Sequence, residues 1–179
     1  GGDIHRYPSD VILLSARSGG PFQRTFEEAF IRPGRDPQRW RWPNPISSSL
    51  TLGMIQTAED ELSLYVRDQR YTLRLDGFAS LHAGGAYGEM ITKRLRFDGT
   101  RMEINLATSA AGRIHIAILD ADGGAIPGFG LEDMAPIADD QISRIVTWKD
   151  KRSLDPLRGR VVRLQFKMRD ADLYALQFK

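Results

Sequence analysis

Val162-Arg163-Leu164-Gln165-Phe166-Lys167-Met168 is the stretch that decides the fold. Val162, Leu164, Phe166 and Met168 alternate with Arg163, Gln165 and Lys167. A pattern of period two sets one face of an extended strand on a core and leaves the other to water. The same period recurs upstream in Ile114, Ile116 and Ile118, in Met102, Ile104 and Leu106, and in Tyr71, Leu73 and Leu75. It recurs again in Leu62, Leu64 and Val66, and in Leu50, Leu52 and Met54. Turn-forming pairs punctuate these runs: Asp76-Gly77, Asp98-Gly99, Asp122-Gly123-Gly124 and Arg158-Gly159. Short alternating strands separated by such turns predict an all-β chain, with an antiparallel β-sandwich as its main body.

Only one stretch carries a helix signal. Thr25 and Glu28 have capping-box spacing, but Pro33-Gly34 follows so soon that a short helical turn is the most the sequence allows. The acidic segment from Leu131 to Asp140 reads as a loop. A break near Asp68-Gln69-Arg70 separates the chain into 1–68, with its Pro- and Trp-rich stretch from Pro33 to Pro45, and 69–179, where the strands are longer and the loops shorter.

Composition excludes several function classes. The 179 residues contain no cysteine, which removes disulfides, thiolate catalysis and cysteine zinc sites together. Charged residues make up 27% and the net charge is only +2, with arginines scattered along the chain, so no nucleic-acid partner is expected. No apolar run approaches the ~18 residues of a membrane helix, so no membrane partner is expected. The opening Gly1-Gly2-Asp3-Ile4-His5-Arg6 lacks an apolar signal core, and no targeting segment is expected in this chain.

A set of motifs, in order, carries a family resemblance. They are Arg74-Leu75-Asp76-Gly77-Phe78-Ala79-Ser80-Leu81-His82-Ala83-Gly84, Gly88 to Lys93, Glu103 to Gly112, Asp120 to Gly123, Ile126-Pro127-Gly128-Phe129 and Asp170 to Tyr174. Together they resemble the C-terminal β-sandwich of bacterial glycoside-hydrolase-like proteins related to glycoside hydrolase families 32 and 43. A five-bladed β-propeller precedes the sandwich in those proteins. Thr25 to Pro37 resembles the end of that propeller, so the resemblance implies that 1–68 is a propeller-blade-like segment and 69–179 a jelly-roll-like sandwich. It implies a non-catalytic accessory region that supports the propeller and helps to hold carbohydrate. The implied partners are carbohydrate and either the remaining blades or a second copy. A secreted or periplasmic setting follows by analogy.

Several residues are candidates for chemistry. Arg35-Asp36-Pro37 resembles a family 32 triplet whose carboxylate stabilises the transition state. Hydrolysis needs two carboxylates flanking the bond, and no upstream Asn-Asp-Pro-Asn-like motif accompanies Asp36, so the chain alone is expected to lack catalysis. The alternative is that Asp36 contributes to a glycosidase site shared with the rest of a parent protein. Trp40 and Trp42, at alternate positions, could stack on sugar rings or fill a joint between domains. His82 and Tyr87 lie in the Gly-rich stretch His82 to Gly88, which could admit a ligand to the backbone or form a wide turn. If the aromatics Trp40, Trp42 and Tyr87 are exposed, a free-standing carbohydrate-binding module is a third reading.

Ser15 to Phe22 resembles an Asp-box turn with Arg17 in the Asp position, and reads as a hairpin. Asp120-Ala121-Asp122-Gly123-Gly124 has a trace of a calcium loop without its further ligands, and also reads as a hairpin turn. No cofactor is expected; a structural calcium near the strand ends is the one cation site the resemblance leaves open. His5, His82 and His115 have no metal-ligand spacing, and His115 should lie on the solvent face of its strand.

Overall fold

The computed structural model describes residues 10–32, 53–66, 69–149 and 153–179. Among them every regular element but two single 3-10 turns is a β-strand, every mapped strand pairing is antiparallel, and there is neither a closed barrel nor a propeller. Two compact units are present, Gly1–Leu73 and Arg74–Lys179.

The first unit holds β1 (Val11–Ile12) and β2 (Ala29–Ile31), which pair with each other, and a three-stranded sheet of β3 (Ile55–Ala58), β4 (Glu61–Val66) and β5 (Gln69–Arg74). Tyr71 and Leu73, which the sequence places in the second part, therefore extend the sheet of the first. Leu64 and Val66 are buried together with Ile31, and Val11, Phe30, Tyr71 and Leu73 pack against them. A polar network spans the three strands: Arg70 Nε donates to the buried Ser63 hydroxyl at 2.8 Å, Ser63 bonds Thr57 Oγ1 at 2.7 Å, and Arg70 pairs with Glu61.

Thr25 and Glu28 form no helical turn. The Thr25 hydroxyl is engaged by Ser15 Oγ at 3.3 Å, across a hairpin closed by the Ser15–Gln23 bridge, and the chain runs straight on into β2. The Ser15 to Phe22 segment is that hairpin, with Gly19 at φ 74 at its turn.

The second unit is organised on one ribbon. β9 (Met102–Asp120) pairs along its length with β11 (Val161–Phe178). Three short strands line the far edge of β11 in tandem: β8 (Leu95–Arg96), β7 (Gly88–Ile91) and β6 (Leu81–Ala83). On the far edge of β9, β10 (Asp140–Ile145) pairs with residues 103–107. The alternation in sequence becomes the core: Val162, Leu164, Phe166, Met168, Ile114, Ile116, Ile118, Met102, Ile104 and Leu106 are all buried in one cluster. Burying each such side chain stabilises by about 1.5–3 kcal/mol.

One irregularity sets the geometry of the ribbon. Arg169 pairs with Arg113 and Ala171 with Thr108, so residues 109–112 all lie opposite Asp170. Asp170 takes φ 48, which Asp tolerates better than most residues, and this bulge shifts the buried positions of β11 from even numbers to Ala171 and Leu173. Ser109 Oγ donates to the Asp170 carboxylate, and Asp170 N–H donates to Gly84 O at 2.7 Å.

The rest of β9's outer edge is capped piecemeal. Ile114 exchanges backbone bonds with Ile137, Ile118 N–H reaches Phe129 O, and Asp120 N–H reaches Gly124 O. At Ile116 side chains take over: Met134 Sδ accepts from its N–H and Trp148 Nε1 donates to its carbonyl at 2.8 Å. Unpaired strand edges invite association with other chains; here loop segments from 124 to 148 satisfy this one. The acidic stretch from Leu131 is thus irregular, as expected, but it carries core residues, Met134 and Ile137.

Candidate functional site

Before the bulge, the odd-numbered residues of β11 from Arg163 to Arg169 point away from the core, and the strands on either side extend that face. Across the ribbon Lys167 lies opposite His115 and Arg169 opposite Arg113; on the other side Lys167 lies opposite Glu89, and Gln165 opposite Ile91. Gln165 Nε2 donates to Glu89 Oε1 at 2.7 Å. Tyr87, immediately before β7, has 48% of its surface exposed. Lys167 Nζ and Arg169 Cζ each lie 5.2 Å from its ring centroid, a cation–π arrangement. His115 lies on this outward face between buried Ile114 and Ile116 and is half-buried.

His82 lies on β6 opposite Asp172. Its Nδ1 is 3.0 Å from Asp172 Oδ1, and Ser80 Oγ donates to the same oxygen at 2.7 Å. A carboxylate oxygen accepts, so Nδ1 carries the proton and Nε2 faces outward. Serine, histidine and aspartate meet here without forming a hydrolytic triad. In a triad the hydroxyl bonds the imidazole that takes its proton, whereas here hydroxyl and imidazole both bond the carboxylate. The cluster can hold a hydrogen-bonding ligand at Nε2; it has no activated nucleophile.

Residues 84–87 form the wide turn between β6 and β7, which pair in tandem with β11. Beneath them is a cavity of about 90 Å³ lined by Ala83, Met90, Phe166 and Met168, with His82 and Glu89 at its rim. A second cavity of about 180 Å³ lies beside Asp76, Glu103, Asn105 and Gln177. Both fall below the ~300–1,000 Å³ of ordinary small-molecule pockets.

The Glu103 side chain is almost wholly buried, and donors saturate it: Arg101 Nε at 2.8 Å on one oxygen, Ser143 Oγ at 2.6 Å, Lys179 Nζ at 2.7 Å and Gln177 Nε2 at 3.3 Å on the other. Hydrogen bonds from Lys179 and then Ser143 pull its pKa down to about 2. A carboxylate held so firmly ionised is a structural anchor and a poor proton donor at neutral pH. Glu103→Gln should cost about 1–2 kcal/mol at neutral pH. A depressed carboxylate contributes fully above its unfolded value and loses its contribution as pH falls through the folded one. The stability gap between wild type and variant should therefore narrow below about pH 4.5 and close near 2, as urea titrations at stepped pH would show.

Asp120 to Gly124 is a closed turn. Asp120 Oδ1 accepts from the Asp122 and Gly124 amides at 2.9 and 2.8 Å, and these bonds, Gly124 first, hold its carboxyl below the usual range. Arg94 takes Asp122. Among the described residues no cluster of three acidic, histidine or cysteine side chains is placed to hold a metal.

The structure thus places His82 and Tyr87 on the same β6–β7 flank of β11. His5, Asp36, Trp40 and Trp42 lie outside the described residues. Sequence reading missed Arg113, Lys167 and Arg169. Their charges were legible as a solvent face, but their meeting depends on register across strands far apart in sequence. No protein-family model, no curated protein and no solved structure matches this chain.

Proposed function

We propose that the chain is a non-catalytic accessory region of a glycoside-hydrolase-like protein: a propeller-blade-like first unit that docks on further β-blades, and a second unit that is a carbohydrate-binding β-sandwich. The observation that carries the docking role is the apolar surface of the first unit. Among its described residues Ile31, Leu64 and Val66 are buried, while Leu14, Phe22, Phe26, Met54 and Ile55 are exposed, Phe22 to 75%. Apolar surface of this kind marks an interaction site, and a blade buries its faces against neighbouring blades. The ordered run of motifs from Arg74 to Tyr174 supports the family, and the bulge at Asp170 supports the sandwich, because bending the ribbon there lets its two halves enclose one core. A polysaccharide ligand implies a secreted or periplasmic setting for the parent protein.

The test is capture of separately produced upstream blades of the parent protein by the immobilised chain, with Phe22→Asp/Ile55→Asp beside it. Wild type should retain the blades and the variant should lose at least about tenfold in affinity, the equivalent of two buried apolar anchors of under 1 kcal/mol each. A wild-type chain that retains none, and sediments as a monomer at every concentration, would remove the docking role.

A further inference from the structure

The outward face of the ribbon sets like charges against each other. Arg113 lies directly opposite Arg169, an arrangement that destabilises an antiparallel pair unless something neutralises it, and Lys167, opposite His115, is two residues away on the same face. Arg163 continues the row on β11. Elsewhere on the second unit Arg74, Arg94, Arg101, Arg158 and Lys179 each meet a carboxylate. Among the described residues Arg113, Arg163, Lys167 and Arg169 form no ion pair.

Their positions are nonetheless fixed. Arg113 Nη1 donates to Ala110 O at 3.1 Å, Arg169 Nη2 to Ala111 O at 2.9 Å and Arg163 Nε to Ala121 O at 3.2 Å. Arg113 Nη1 also donates to Gly112 O, and among the described residues these contacts leave further guanidinium donors available, since the group carries five. Tyr87 holds Lys167 and Arg169 beside its ring.

We propose that this face binds an acidic polysaccharide, with Arg113, Lys167 and Arg169 taking its carboxylate or sulfate groups and Glu89 and Gln165 taking its hydroxyls. The inference rests on the reading of the second unit as a carbohydrate-binding module and names the ligand class. Two features favour a sugar acid over a nucleic acid. Single strands are held by stacking on several open aromatic rings, whereas the ring beside these cations, Tyr87, is flanked by two of them. Glu89 sits among the cations, where it repels a continuous phosphate backbone but accepts from a hydroxyl.

The experiment is affinity electrophoresis of the full chain in gels containing polygalacturonate, dextran sulfate or a panel of neutral plant polysaccharides, with a single-stranded oligonucleotide tested by anisotropy. Lys167→Gln/Arg169→Gln is run alongside. Retardation by an acidic polymer is expected, weakening with salt because exposed charges are screened beyond ~8–10 Å, and about tenfold weaker in the variant. Uronate and sulfate sources are separated by the two acidic gels. Relief of repulsion should leave the variant's thermal midpoint equal or higher. Retardation of both proteins by neutral polymers alone would overturn this inference and leave the carbohydrate-module reading standing. Retardation by no polysaccharide would remove both. Tighter binding to the oligonucleotide, or undiminished acidic-polymer binding by the variant, would also overturn the proposal.

Discussion

Trp148→Ala should destabilise the second unit by about 3–5 kcal/mol. The indole is wholly buried, packs edge-on against Phe129 with centroids 5.6 Å apart, and donates to the Ile116 carbonyl at 2.8 Å. Truncation has two costs that add. It opens a cavity among Ile, Leu and Phe side chains that can relax only partly, and it strands a buried carbonyl on the longest strand. Trp148→Phe separates them: it refills most of the volume but still leaves Ile116 O without its donor, so about 1–3 kcal/mol should remain. Urea unfolding followed by circular dichroism measures both. Equal midpoints for wild type and Trp148→Ala would mean that the indole does not close the core.

Gly112→Ala is the second large effect, about 2–3 kcal/mol. A Cβ at Gly112 would stand 2.2 Å from Asp170 O and 2.8 Å from Thr108 Cβ. The first contact is with backbone on the partner strand, so no rotamer change can relieve it. Relief requires the bulge itself to open, and the bulge holds the Ser109–Asp170 contact and the Asp170–Gly84 bond. The loss should appear as a lower urea midpoint and as faster hydrogen exchange at Asp170 and its neighbours. An exposed alanine such as Ala110, replaced by serine, should change neither.

These two positions show how unevenly the sequence announces structure. The alternation from Val162 to Met168 was legible residue by residue, because neighbours in a strand face opposite ways whatever lies across from them. Trp148 carried no such signal: it sits in a single-residue bridge outside any alternating run, and its importance comes from reaching Ile116, far away in sequence. Gly112 gave none either. Its need for a missing side chain arises because the folded bulge brings Asp170 O and Thr108 Cβ against it.

The candidate site divides in the same way. His82 and Tyr87 stood out in a Gly-rich stretch. Asp172, which binds His82, and the cations beside Tyr87 were visible only as charges at strand positions. By itself the sequence determined the all-β class, the core residues on the alternating strands and the turns at Asp76, Asp122 and Arg158, since period two and turn chemistry are local properties of the chain. Tertiary structure alone decided that Arg113 faces Arg169 and that Lys167 faces His115. It also decided that Tyr71 and Leu73 join the first unit's sheet. Register is set by loops and by the bulges along the ribbon, and a shift of one residue would have sent every one of those side chains to the other face.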